Sequence, residues 1–361
     1  MSNVSPNDHF IEPSDAYAQF EQLRIMVEAE FDVEESLIEH GIPTFYVRLR
    51  DDSKEAFLRL TKHAESLGFI PLLRRREEKV VLQAVPKPST KPSRNTTIVV
   101  LFLATLGTVF LSGYLLSLDI LGAMMFTGAI MAILGSHEMG HKLLADKHAV
   151  EATYPYFIPG LPPIGTFGAV IQQKSLPPNR DALFDIGIAG PLMSFFVSIP
   201  ITIVGILFSS YTWIPEGSPT LPVPISFWLI ALVCEPLGAV PPVPIEPGKY
   251  LPGISLHPVA FAGWIGMVVT MLNLVPTGMF DGGHVARSLV GERAHRILSY
   301  LGIILLAIIW YPMAFFALLF SFYPHPGPLD DVSQPTTLRK LASLGLIAIF
   351  ILSVVPIYSL L

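Results

Sequence analysis

From Thr96 to Leu118 the chain reads TTIVVLFLATLGTVFLSGYLLSL, without one charged residue. About 20 apolar residues wound as a helix cross the hydrocarbon of a bilayer, where no water can satisfy an open backbone. Such a run forces both a helix and a lipid setting on the fold. Further spans are expected from Ile120 to about Ala145, Leu183 to Ser209, His257 to about Pro276, and Leu338 to Ile357. Ile297 to Phe322 either splits into a hairpin of two short helices or carries a kink, because Trp310-Tyr311-Pro312 puts a proline inside it. Ile225 to Ala239 is too short to cross and carries Glu235, so it is expected to lie at the interface or to re-enter from one side. The composition agrees: 51% of residues are hydrophobic and 14% charged, against about a quarter charged in soluble domains. The fold class read from these runs is a polytopic α-helical membrane protein with about 6–8 transmembrane segments. At a net charge of −6 there is no basic footprint for nucleic acid, and a lone Cys234 excludes a disulfide framework or a cysteine metal site.

Residues 1–85 are different. Ala16, Phe20, Leu23 and Val27 recur at helical spacing, whereas Phe45, Val47 and Leu49 alternate with Tyr46, Arg48 and Arg50 as in a half-buried strand. A second helix from Ser53 to Ser66, with strands at Phe69–Leu73 and Lys79–Val85, makes a helix-strand-strand pattern used twice, a small soluble α+β domain. Residues 86–95 are a Pro-rich basic linker, and residues 96–361 the membrane domain, with its core at 120–290. The first residues lack the basic flank and apolar centre of a signal peptide. Lys and Arg crowd the N-terminal side (Lys87, Lys91, Arg94) and the loops after the second and fourth spans, while Ser209 to Leu256 holds only Lys249. By the positive-inside rule the basic regions are cytosolic. The expectation is an integral protein of the plasma membrane, with its N-terminal domain on the cytosolic side.

The second span ends in GSHEMGHK. His137 and His141, four apart, share one helix face and can hold one metal ion, and Glu138 beside them can take a proton from an attacking water. Some sixteen residues lead from Ile120 to the motif, about 24 Å of helix, so the ion would sit inside the membrane boundary near its cytosolic face. Ionisable groups at such a place default to function. A catalytic Zn²⁺ site takes three protein ligands and leaves a fourth position open. The third candidate is Asp281 in NLVPTGMFDGGH, where Pro276 and Gly278 should unwind the helix and aim the carboxylate across a cleft. Asn273 is either an interhelical hydrogen-bonding amide or a donor to a substrate carbonyl. His284 is read first as a helix-start histidine, and otherwise as a partner of the metal ligands or a ligand itself; His148 points the same way only if the helix continues past the membrane. Glu235 is a poorer third ligand, on the opposite side.

HEMGH, AGPLMSF at Ala189–Phe195 and NLVPTGMFDGGH, in this order, resemble the site-2 protease family of intramembrane metalloproteases, in its archaeal branch with chloroplast relatives. The likeness covers Thr96 to Leu289, and extends faintly to HPGPLDD at His325–Asp331. It implies that His137, His141 and Asp281 bind Zn²⁺, that Glu138 activates water, and that Asn273 supports a transmembrane protein substrate. It also implies an edge strand or re-entrant hairpin after the HExxH helix, placed at Ile164–Ser175. Gly165, Phe167, Gly168, Ala169 and Ile171 would then contact the substrate, adding its unwound segment as a strand. Phe167, Ala169 and Ile171 alternate as such a strand requires. The cleft would open to the cytosol, and membrane lipid would be a further partner. The chain departs from the family in having no room for a PDZ insert between Tyr211 and Leu256, and in carrying Ser194 where Asn is frequent and Phe280 where Leu is common. Two other readings use the same residues: a zinc transporter or sensor, and a non-catalytic scaffold. The first needs a polar path that the outer halves of the second and fourth spans lack, and intact Glu138 speaks against the second.

Overall fold

The computed structural model describes residues 13–88, 95–218, 220–238, 249–309, 311–321 and 325–355. They fall into two compact units, one formed by Met1–Lys91, Pro178–Arg180 and Pro328–Gln334, the other by the rest of the chain.

The first unit runs α1 (Pro13–Glu30), β1 (Asp32–Glu39), β2 (Ile42–Arg48), α2 (Ser53–Ser66), β3 (Phe69–Arg76) and β4 (Lys79–Pro86), the helix-strand-strand pattern used twice. Its strands form an antiparallel sheet in the order β1-β2-β4-β3. Phe20, Leu23 and Val27 of α1 and Ala56, Phe57 and Leu60 of α2 are buried together with Phe45, Val47, Leu73 and Leu82 of the sheet. Phe20 stacks on Phe45 with ring centroids 5.6 Å apart. The side chain of Ala16 lies outside the described residues, as does most of the expected linker. His40 and Gly41 both take positive φ (52° and 80°), which suits the two-residue turn between β1 and β2 to the sheet's right-handed twist. What the sequence does not announce is the return of the chain to this unit. The Leu73 N–H donates to the Leu329 carbonyl at 2.9 Å and the Asp331 N–H to the Leu73 carbonyl at 3.1 Å, so a late segment of the chain pairs with the outer edge of β3. Asp330 N–H donates in turn to the Pro178 carbonyl, and the Arg180 guanidinium holds Asp331 at 3.2 Å.

The second unit contains α3 (Asn95–Ser117), α4 (Ile120–Lys147), β5 (Tyr156–Pro159), β6 (Thr166–Val170), α5 (Arg180–Leu207), β7 (Ser210–Pro215), α6 (Ile225–Val233), β8 (Tyr250–Ser255), α7 (Pro258–Leu274), α8 (Asp281–Ile309), α9 (Tyr311–Ser321) and α10 (Thr337–Ser353). Among the described residues α3, α4 and α5 are long and apolar enough to cross a membrane, and α7 is a shorter apolar helix. Val109 of α3, Phe126, Ile130 and Leu134 of α4 and Ala262 and Ile265 of α7 form one buried cluster with Phe157 of β5. With lipid on the outside, apolarity alone does not press helices together, so close approach through small residues does. A Cβ on Gly205 of α5 would stand 2.1 Å from the Ala260 nitrogen, and one on Gly263 of α7 would stand 2.2 Å from Thr202 Oγ1. Each helix is met by its neighbour at a position where it has no side chain of its own, Gly205 by Ala260 and Gly263 by Thr202. Val99, Leu103, Leu111 and Leu115 of α3 remain exposed as a lipid-facing surface.

Three details sharpen what the sequence left open or concealed. The edge strand or re-entrant hairpin expected at Ile164–Ser175 is a hairpin whose first arm, β5, lies before that stretch, since β6 pairs with β5 from Tyr156↔Val170 to Pro159↔Thr166. The Pro-rich insert contributes a strand at each end, β7 with β8, which its prolines concealed. The ambiguous stretch from Ile297 to Phe322 divides between α8 and α9; Trp310 itself is outside the described residues. Phe57→Ala should destabilise the first unit by about 3–5 kcal/mol, since its ring is fully enclosed. The expected result is faster amide exchange in β2 and β4 of the full-length protein, with the amides of α4 unchanged.

Candidate active site

The last turns of α4 carry His137, Glu138 and His141, and α8 opens on Asp281. Asp281 Oδ2 lies 3.2 Å from His137 Nε2, Asp281 Oδ1 lies 3.3 Å from His141 Nε2, and the two Nε2 atoms are 3.2 Å apart. A tetrahedral ion with bonds of roughly 2.0–2.1 Å separates neighbouring ligand atoms by about 3.3 Å. Two imidazole nitrogens, and a carboxylate that turns one oxygen toward each of them at that spacing, therefore fit Zn²⁺. Among the described residues this is the group of His, Cys, Asp and Glu side chains that could hold a metal.

Each imidazole is turned by its other nitrogen. His141 Nδ1 donates to the Ile186 carbonyl at 2.8 Å, which leaves Nε2 bare. His137 Nδ1 lies 3.2 Å from Ser194 Oγ, and Ser194 can donate its own proton to the Gly190 carbonyl at 3.1 Å or to Thr270 Oγ1, also at 3.1 Å. With its proton used there, Ser194 accepts from His137, and the Nε2 of that ring is bare as well. Ser194, the departure from the family pattern, thus serves as the orienting partner of a histidine. The AGP stretch serves a steric purpose, for a Cβ on Gly190 would sit 2.1 Å from His141 Nε2, and one on Gly140 would sit 2.6 Å from the Ala189 carbonyl oxygen. α4 and α5 can only approach so closely at glycine.

Asp281 reaches the histidines because the chain breaks just before it. α7 ends at Leu274, Val275 is extended, and Gly278 takes φ 50°. Two bonds to Ser299 of α8 secure this irregular stretch: Thr277 Oγ1 donates to its carbonyl at 3.0 Å and the Gly278 N–H to its Oγ at 3.1 Å. Gly282 and Gly283 follow because a Cβ on either would lie 2.3 Å from a backbone carbonyl, of Leu274 or of Gly278.

A cavity of about 660 Å³ opens onto the three ligands, and Glu138, Asn273, Ala169, Ile171 and His284 are among its walls. Glu138 is buried and faces the Ile171 N–H. Asn273 Nδ2 of α7 stands 3.4 Å from His137 Nε2 of α4, an interhelical contact made to the ligand nitrogen itself. Of the five residues assigned to a substrate strand, Ala169 and Ile171 line the cavity. Gly165, Phe167 and Gly168 do not: Gly165 packs on the α3 backbone near Thr108, Phe167 is exposed, and Gly168 has open space above it. His148 caps α4 and bonds Asp185 at 2.9 Å, away from the three ligands.

His284 is more than a residue starting a helix. Its Nδ1 is 2.7 Å from Nε2 of His325, whose own Nδ1 accepts the Gly327 N–H at 2.9 Å. Burial first, then the neighbouring His284 and His295 rings and the Arg287 cation, pushes the His325 imidazole down to about 2, so that it stays neutral. In the sequence His325 stood inside HPGPLDD, too far from the ligand motifs for spacing to connect it with them.

A profile of peptidase family M50 matches residues 125–311, just over half of the chain. The chain belongs to peptidase family M50. With three helices fit to cross a bilayer, this M50 member is an integral membrane protein. It is 32% identical over 237 residues to the probable zinc metalloprotease EGY1, chloroplastic, of Oryza sativa subsp. japonica, covering 63% of this chain and 40% of that protein. It is 29% identical over 238 residues to the Arabidopsis thaliana EGY1, covering 63% and 42%. With the probable zinc metallopeptidase EGY3, chloroplastic, of Arabidopsis thaliana it shares 31% over 232 residues, covering 58% and 39%. The matched region thus spans about two fifths of these relatives' own length. No solved structure matches the chain. Because Ser194 sets the His137 ring, Ser194→Ala should weaken zinc binding by about 10-fold or more, as loss of such a partner does elsewhere. Competition with a chromophoric chelator measures this, and unaltered affinity would mean that the ring is held otherwise.

Proposed function

We propose that this M50 protein is an intramembrane zinc metalloendopeptidase that hydrolyses peptide bonds within or near transmembrane segments of membrane proteins. The observation that carries the reading is the triangle of His137, His141 and Asp281, at tetrahedral spacing, with Glu138 in the same cavity at the end of an apolar helix. Zinc, when bound there, polarises a carbonyl and makes water acidic enough to attack near neutral pH. The protein's side chains supply the rest. Glu138 takes a proton from the attacking water and passes it to the departing amide nitrogen. Asn273 Nδ2 donates to the substrate carbonyl and holds it against the ligands. A helical substrate has its carbonyls tied up internally and must be extended before attack. Support for how this is done comes from β6, which has β5 on one side and no strand on the other among the described residues, so that an unwound segment can pair along it beside Ala169 and Ile171.

The finer reading follows from the charge distribution and the apolar runs. About 6–8 transmembrane segments cross the membrane. The basic loops put the N-terminal domain (1–85, joined by the linker 86–95 to the membrane domain 96–361) and the opening of the site on the cytosolic side, in a plasma membrane. Lipid surrounds the exposed apolar faces. The names of the plant relatives, zinc metalloproteases, support the chemistry.

Glu138→Ala in the full-length protein, reconstituted with a single-span reporter, should lower cleavage by about 10²–10⁴-fold while zinc stays bound. Turnover near the wild-type rate would remove the assignment.

A further inference from the structure

The hydrogen bonds behind the cavity form a chain with one direction. Gly327 is a backbone amide and can only donate, so His325 Nδ1, 2.9 Å away, must accept and carries no proton. A neutral imidazole holds its single proton on the other nitrogen. His325 Nε2 therefore donates to His284 Nδ1 at 2.7 Å, and the proton of His284 must lie on its Nε2. That nitrogen has no partner among the described residues, is not among the sealed, unpaired buried atoms, and belongs to a side chain lining the cavity. Position is secured as well. His284 lies one turn past Asp281, and a Cβ on Gly187 would stand 3.1 Å from the His284 Cβ and 3.2 Å from the Asp281 carbonyl oxygen, so α5 presses both onto one wall. Behind His325 lies Arg287, fully buried, its Nη2 2.7 Å from where a Gly327 Cβ would be. A fixed cation at that point opposes protonation of His325 and so protects the direction of the chain.

Resting on the protease reading above, we infer that His284 is a catalytic hydrogen-bond donor whose Nε2–H meets the scissile carbonyl oxygen, and that His325 is a positioning residue that fixes its tautomer. As water attacks, the new C–O bond forms and the carbonyl π pair moves onto oxygen; Glu138 receives the water proton, and His284 keeps its own. A donor held ready for that oxygen strengthens as charge builds and needs no reorientation during the reaction. Neither motif of the sequence joins these residues. The junction is made by the fold, which brings residue 325 behind residue 284.

The test uses purified full-length protein. Histidine ¹⁵N spectra of the metal-free form, with the His284 signals assigned by their loss in His284→Gln, should show a protonated Nε2 and a bare Nδ1; the opposite tautomer overturns the inference. His325→Leu should turn this into a mixture, whereas His325→Gln, which keeps a donor at that point, should retain it. In cleavage assays His284→Ala should lower kcat by about 10²–10³-fold, with little change in KM and with zinc content equal to wild type. His284→Gln, which retains an N–H, should recover part of the loss. Adding His325→Leu to His284→Ala should cost nothing further, because the second residue acts only through the first. A kcat for His284→Ala close to wild type, in a preparation where Glu138→Ala is inactive, refutes the inference and leaves the protease reading intact. Loss of zinc in His284→Ala refutes it in favour of a ligand-holding role. Undiminished turnover by Glu138→Ala defeats the protease reading, and this inference with it.

Discussion

The imidazole of His141 fills the space that a side chain at position 190 would occupy, and the site depends on that exclusion. A metal triangle with edges near 3.2 Å demands that residues from separate helices converge far more tightly than apolar helices normally pack. Glycine makes room at each meeting point: Gly140 and Gly190 between α4 and α5, Gly187 between α5 and α8, Gly282 and Gly283 where α8 crosses the end of α7. In lipid such contacts also replace the hydrophobic force that assembles soluble cores. The residues that let the membrane domain cohere are largely the residues that let it hold an ion.

A second constraint is the unwound segment between α7 and α8. Backbone groups inside a membrane must find partners in the protein, and here Ser299 Oγ, from within α8, accepts the Gly278 N–H while the Ser299 carbonyl accepts the Thr277 hydroxyl. Ser299 Oγ accepts the Gly278 N–H, so its own proton is free for His295 Nε2 at 3.3 Å. The break that aims Asp281 is thereby held from behind by α8.

Much of this was readable in the chain, and the reasons for success and failure differ. The spans α3, α4 and α5 follow from uninterrupted apolarity, and the α+β unit from alternation at Phe45 and Val47 and helical spacing at Phe20, Leu23 and Val27. His137 and His141 declare themselves by their interval on a helix, and Asp281 by the Pro and Gly residues that must break the helix before it. The orienting role of Ser194 was hidden, since a buried serine on an apolar helix carries no periodic signal; only its 3.2 Å approach to His137 reveals it. β5 and the β7–β8 hairpin were missed for another reason. Pro155 and Pro159, and the many prolines after Pro215, read as loop, although an edge strand tolerates proline where its N–H would face outward. His284 reads in the chain more readily as a helix-start residue than as a partner at the site, because His325 stands some forty residues away, beyond any local pattern.

The return of Pro328–Gln334 to the first unit bears on the order in which the protein can be completed. The helices and sheet of residues 13–88 are synthesised before α3 and contain their own core. Yet the outer edge of β3 meets its last backbone partners at Leu329 and Asp331, which are synthesised only after α3 to α9. Until then Leu73 presents an unpaired edge, the kind of strand that invites pairing with the wrong chain. This unit is therefore begun before the membrane helices α3 to α9 and closed after them, and its completion reports that those helices have been made.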